Sequence, residues 1–410
     1  MNSFNKKINS LFICMCVFFL LPSIQLYYKN STDLLFHITV WLTRIMAVIV
    51  LVKYFKKGTL SKYFCFVFLF FAYIIIDTLI LKSDVLAAMS QAYATLAIIC
   101  FFEIYFKENP KFFIENVVNF LIVIITFNCY FMYFEWYDFL ADRYLFGIKN
   151  QLGLLYIIAL VLAEIERKEL NAKLYKEIYL LLIVILSLYK AQSSNNLIAF
   201  SVMIVGALIA NNKKIMHFIN KMDYKLVYLF ILGIDYAIVV LNIQKNFTWL
   251  IQGILHKNLT LTNRTFIWED ALYKISQHPI WGHGIKQDYN VFQVLDKNQY
   301  NIPIVNLSAH NQFLQTAYEG GIVALLAVII ISLFMINELN KLKKIQKESC
   351  SFIILMGYVA TTIICFAEAP GIIHLFTYLG LINGYLYLHI LRIKEMHIFD
   401  SKQHLKILQE

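Results

Sequence analysis

The sequence predicts an all-α polytopic membrane protein: about 12 transmembrane helices, N- and C-termini in the cytoplasm, and one large extracytoplasmic loop holding short helices. Three observations carry that expectation. First, the 410 residues are 60% hydrophobic and 15% charged, with a mean hydropathy of +0.64, too apolar for a soluble domain of this size. Second, apolar runs close to the ~20 residues that cross the hydrocarbon core recur along the whole chain. Third, the basic residues gather at alternate ends of those runs. An unpaired backbone amide in lipid costs several kcal/mol, and no barrel-type alternation of short strands is visible, so the spans must be helical. No soluble domain or internal repeat stands out, and residues 1–410 read as a single integral membrane domain.

In chain order the apolar runs cover 11–28, 34–55, 63–81, 85–106, 113–135, 150–166, 175–190, 193–210, 224–242, 311–336, 352–368 and 371–391. The first run follows Lys6 and Lys7 as a signal peptide would, but it leaves through Leu21-Pro22-Ser23 with no small-residue cleavage site, so it is kept as a span. Runs seven and eight have almost no loop between them, only Lys190 to Ser193. Placing the N-terminus inside puts most of the 36 Lys and Arg residues on the cytoplasmic side, including Lys53, Lys56, Lys57, Lys107, Arg167, Lys168, Lys213, Lys214, Lys341 and Lys343. That bias accounts for the net charge of +10 without nucleic acid. The seven cysteines lie in or beside apolar runs and imply neither a disulfide framework nor a zinc set.

Residues 243–310 form the one long polar interruption and read as the extracytoplasmic loop. Within it Asn263 is a candidate N-cap. Phe266, Ile267, Ala271, Leu272 and Ile275 then recur at helical spacing until His278-Pro279 stops the helix. Its apolar side suits the bilayer surface or the span bundle. Asp270 and Lys274 make an ordinary i,i+4 pair, and Arg264 and Trp268 share a face. Pro279-Ile280-Trp281-Gly282-His283-Gly284 supplies a tight turn.

Several side chains in and near this loop can carry chemistry. His310 sits where polar loop becomes membrane helix, and an imidazole accepts a proton at neutral pH; the bland alternative is a cap or headgroup anchor. Arg264 offers a permanent fork for phosphate or pyrophosphate, or simply touches headgroups. Trp268 can stack on a sugar or anchor at the interface. Arg44 lies midway along the second run, where charged groups usually face the bundle interior or a wet cavity, so a buried partner or a lipid phosphate is expected. Glu319 suits helix packing near Gly320-Gly321 and Glu368 suits a second carboxylate at the outer site. His256, His278, His283 and His310 lack compact ligand spacing, so neither a metal nor another cofactor is implied.

Asn263-Arg264 with Trp268 four on, Pro279-x-x-Gly282-x-Gly284, and His310-Asn311 followed by Gly321, with Phe146-Gly147-Ile148-Lys149-Asn150-Gln151-Leu152 upstream, together resemble the O-antigen ligase and O-antigen polymerase superfamily. The resemblance covers roughly residues 145–325. It implies a helical glycosyltransferase of the bacterial cytoplasmic membrane, facing outward, that uses an undecaprenyl-pyrophosphate-linked oligosaccharide and no nucleotide sugar. By the same resemblance His310 matches the essential histidine and Arg264 the loop arginine. With the readings from position, the candidate substrate-binding residues are Trp268, His283, Asn311, Lys149, Asn150, Lys190, Arg44 and Glu368. Membrane lipid, a chain-length regulator and a flippase are the implied partners. One departure stands out: Ser194-Asn195 replaces the Ser-Arg expected at the outer start of a span, leaving Lys190, Arg143 or Lys149 as substitutes. The expected reaction is inverting, metal-independent polymerisation of O-antigen, capsular or exopolysaccharide repeat units. A ligase using another acceptor is the nearest alternative, and a lipid-linked oligosaccharide flippase or transporter the alternative from another class; the one-sided polar residues and lack of two-half symmetry speak against the latter.

Overall fold

The computed structural model describes residues 3–22, 24, 34–58, 60–134, 143–243, 246, 249, 264–286, 292–295, 303–306, 308–343 and 348–407. The helices are α1 (Ser3–Leu20), α2 (Leu34–Phe55), α3 (Lys62–Ile80), α4 (Val85–Glu108), α5 (Pro110–Phe134), α6 (Leu152–Leu170), α7 (Leu174–Ala191), α8 (Ser194–Asn211), α9 (Lys213–Ile219), α10 (Tyr224–Val239), α11 (Arg264–Gln277), α12 (Gln312–Lys343), α13 (Glu348–Ala367) and α14 (Ile372–Ile407). Apart from α9 and α11, each falls on one of the apolar runs. Among the described residues, seven helices are long and apolar enough to cross a membrane.

The helix ends follow local chemistry. Ser61 and Asp84 accept from Phe64 N and Ala87 N and so cap α3 and α4. The tight connection between α7 and α8 turns on Gln192, whose φ of 51° reverses the chain before Ser193 starts the next helix. The bundle core is made where α4 meets α2, α3 and α14, and where α13 meets α6, α8 and α12. Gly357, Gly380 and Gly384 sit at such crossings, where a methyl on Gly384 would stand 2.3 Å from the Phe106 ring.

Two features were not expected from an all-α reading. Short antiparallel pairings join β1 (Arg143–Tyr144) to β2 (Gly147–Ile148) and β3 (Phe292–Leu295) to β4 (Pro303–Asn306), the second in the register Phe292 opposite Asn306. The β-branched and aromatic content of 292–295 and 303–306 favours that pairing over helix. The run at 311–336 is also not one continuous rod: α12 breaks at Gly320 (φ −128°) and Gly321 (φ 66°, ψ −168°).

The break is filled by the loop. His283 N and Gly284 N donate to the freed carbonyls of Tyr318 and Glu319, both at 2.8 Å, and Ile322 N donates to Pro279 O at 2.9 Å. The Tyr73 hydroxyl donates to Gly320 O at 2.8 Å. Irregular backbone at this depth is tolerated because protein, rather than lipid, satisfies it. A Cβ on Gly321 would lie 2.0 Å from Ile280 O and one on Gly282 would lie 2.5 Å from Gly321 N, so the two glycines allow turn and helix to touch.

Candidate active site

At one end of the bundle a carboxylate gathers side chains from distant parts of the chain. Glu368 sits in the turn between α13 and α14, ahead of Pro370 and Gly371. Its Oε1 accepts from Arg264 Nη2 at 2.6 Å and from Asn150 Nδ2 at 2.9 Å. Its Oε2 lies 3.4 Å from His310 Nδ1, within ion-pair range but not aligned as a hydrogen bond. The Glu368 side chain is 9% exposed, Arg264 22% and His310 29%, so the group is half-sheltered yet open to a ligand. Ser193 Oγ donates to Asn150 Oδ1 at 3.1 Å and fixes the amide's orientation.

Each member is held by its own element. Arg264 opens α11, which docks through Ile267, Trp268 and Ala271 against Val239, Ala309, Leu314 and Tyr318. Asn263, the expected cap, lies outside the described residues. Asp270 and Lys274 pair at 2.8 Å as expected. His310 is held at φ 46°, a left-handed conformation that costs a non-glycine residue roughly 1–2 kcal/mol. The next residue accounts for it. Asn311 Oδ1 accepts from Phe313 N and Leu314 N and caps α12, while Nδ2 donates to Asp235 Oδ1 at 2.9 Å and to Phe366 O at 3.1 Å. Gln312 Oε1 accepts from Gly371 N at 2.8 Å, tying the start of α12 to the turn that carries Glu368.

The other candidates are placed differently. Asn311 is fully buried with its amide committed, so it positions His310 and leaves no atom for a substrate. Trp268 is 3% exposed inside the α11 contact and presents no ring face to a sugar. His283 stacks on Tyr318 at 4.6 Å with Nε2 2.9 Å from Lys274 O, which fastens the turn to α12; burial holds its pKa below the ordinary value. Lys149 offers its carbonyl to Asn196 Nδ2 at 2.7 Å. Lys190, in the last turn of α7, has Nζ 5.8 Å from the Tyr133 ring. Asn195, where an arginine was sought, donates to Ile364 O at 3.2 Å and serves packing. Among the described residues no buried partner meets Arg44: it is exposed, 5.1 Å over Trp41, on the same outward stripe of α2 as Ile45 and Val48. Glu319 accepts from Gln315 Nε2 at 2.8 Å beside the α12 break.

Sequence reasoning passed over Ser193, Asp235 and Gln312, which orient the cluster. An acidic group inside an apolar run was the available signal for Asp235. Among the described residues no group of three His, Cys, Asp or Glu side chains is gathered as a metal would need. His256 lies outside the described residues.

Residues 179–329, well under half of the chain, match the family model described as O-antigen ligase. The match supports the O-antigen ligase and polymerase superfamily as this chain's family. Arg264 and His310 fall inside the matched segment; Asn150 and Glu368 fall outside it, yet the fold delivers them to the same cluster. Over 92 residues the chain is 35% identical to an uncharacterized protein of Haemophilus influenzae, covering 21% of this chain and 23% of that protein. The chain thus spans about a quarter of the length of the curated relative it matches.

Proposed function

We propose that the chain polymerises lipid-linked glycan repeat units at the outer leaflet of a bacterial cytoplasmic membrane, spanning it twelve times with both ends inside. The observation that carries the reading is the carboxylate of Glu368 set between Arg264 and His310 at one end of the bundle. The cationic side chains Lys53, Lys57, Arg167, Lys168 and Lys341 belong to ion pairs on loops and helix ends assigned to the cytoplasmic side, which supports an outward-facing cluster.

In this reading an acceptor sugar hydroxyl attacks the anomeric carbon of a glycan carried on undecaprenyl pyrophosphate. The new oxygen–carbon bond forms as the bond to the pyrophosphate breaks, and the electron pair leaves with the pyrophosphate. His310 takes the hydroxyl proton on Nε2 while Glu368, beside Nδ1, orients the ring and stabilises the imidazolium. Arg264 exchanges part of its pairing with Glu368 for the departing phosphate oxygens. One displacement inverts the anomeric centre, and an already activated donor needs mainly positioning and charge neutralisation.

The test is incubation of purified protein with lipid-linked repeat unit. A ladder of lengthening glycan is expected from wild type and none from His310→Ala or Arg264→Ala at equal expression; an unchanged ladder in both variants removes them from the mechanism. The match to the O-antigen ligase family model favours a second reading, a ligase with another acceptor. A deletion strain separates the two: single units accumulating on the carrier indicate a polymerase, and long unattached chains on the carrier indicate a ligase.

A further inference from the structure

A second cavity lies at the far end of α11 from Arg264. It holds about 370 Å³ between the top of α3 and the turn after α11, and Asp77, Ile80, Gln277, His278, Ile280 and Trp281 line it. That is within the size range of small-molecule sites. At 1.5 Å per residue the 14 residues of α11 separate the two ends by about 20 Å, so this cavity is distinct from the Glu368 cluster.

Its chemistry is unusual for a packing defect. Asp77 is 5% exposed and its Oδ2 has no hydrogen-bond partner among the described residues. A buried carboxylate oxygen without a partner is costly, and native proteins rarely leave one so unless a ligand or water meets the group. Gln277 and His278, both exposed, and Trp281, 58% exposed, line the same space. Tyr73, which donates to Gly320 O, lies 6.3 Å from the Trp281 ring and backs it. The walls are therefore mostly an aromatic and aliphatic surface, with Asp77, Gln277 and His278 among the residues that line it. A pyranose ring has that pattern in reverse, with C–H faces and a rim of hydroxyl donors.

We propose that this cavity is a saccharide subsite that holds a sugar unit of the growing glycan about 20 Å from the bond-forming cluster, with Asp77 accepting from ring hydroxyls and Trp281 stacking on the ring face. The assignment rests on the transferase reading for the identity of the glycan and for the effect on product length, but not for binding. By holding the chain at a distance from the reacting hydroxyl, the subsite would set product length rather than the rate of a single transfer.

The experiment uses the full chain in detergent, with sized, carrier-free oligosaccharides hydrolysed from the host's own surface polysaccharide as the probe. Asp77→Asn, which keeps the shape, and Trp281→Ala are compared with wild type for binding, for thermal unfolding and for product length. The expected result is binding weakened about tenfold or more in both variants, unfolding of Asp77→Asn within about 2 °C of wild type, and shorter product at a single-transfer rate within about twofold. Oligosaccharide binding unchanged in both variants overturns the subsite even where transfer proceeds. Wild-type protein that binds the probe through Asp77 and Trp281 but never forms a glycosidic bond keeps the subsite and removes the transferase reading instead.

Discussion

Replacing Glu368 by Gln isolates what its charge contributes. The amide keeps an oxygen for Arg264 and Asn150, which now approach Oε1 at 2.6 and 2.9 Å, so packing survives. The charge facing His310 does not. At the 3.4 Å between Oε2 and Nδ1, and an effective dielectric of about 20, the gross attraction between carboxylate and imidazolium is about 5 kcal/mol. His310 is 29% exposed, and screening brings the differential down to about 2 kcal/mol, or about 30-fold in rate. Single-turnover transfer from lipid-linked donor should therefore fall about 30-fold in Glu368→Gln, with thermal unfolding nearly unchanged. Glu368→Ala also strands the sheltered Arg264 guanidinium and should cost about 2–4 kcal/mol of stability in addition. Wild-type turnover in Glu368→Gln would refute the role given to the carboxylate, and an active Glu368→Ala of undiminished stability would refute the cluster itself.

Gly321→Ala should destabilise by about 3 kcal/mol or more, because the methyl meets Ile280 O at 2.0 Å and the backbone has φ 66°; thermal unfolding in detergent measures it, and a loss under 1 kcal/mol would contradict the docking described. Trp268→Ala should cost about 3–5 kcal/mol as it empties the contact between α11 and α12, with protease sensitivity near α11 as the readout. Burial lowers the His283 pKa, so the unfolded chain takes up that proton first; stability is kept above about 6.5, the ordinary histidine value, and lost as pH falls below it. His283→Gln, which can still donate to Lys274 O, should flatten the unfolding temperature between pH 7.5 and 5.5, and an equally steep dependence would exclude His283 as its source.

The helices were legible because lipid demands long apolar runs, and every run carries one. Glu368 and the three side chains that meet it were also named from sequence, but as separate candidates: nothing in the spacing says that residues 150, 264, 310 and 368 converge. Asp77 and Asp235 were hidden inside apolar runs read for their hydropathy alone. Asn311 and Trp268 looked like ligands because polar and aromatic groups near a membrane surface suit binding and anchoring equally, and only packing separates the two. Gly320-Gly321 read only as a place beside Glu319 where helices pack, since a helix break needs a partner for its carbonyls and that partner, His283 and Gly284, lies 35 residues upstream. Arg44 was expected to meet a buried partner or a lipid phosphate on energetic grounds; it stands exposed on the outer stripe with Trp41 as a companion.

The interrupted α12 has a mechanical meaning. The stub above the glycines, with the histidine at its head, is moored to the loop and to the turn after α13, while the shaft below stands in the hydrocarbon. A bilayer that thickens or thins would lean the shaft, and a break at the glycines would let that lean die out before it reaches the histidine and the guanidinium beside it.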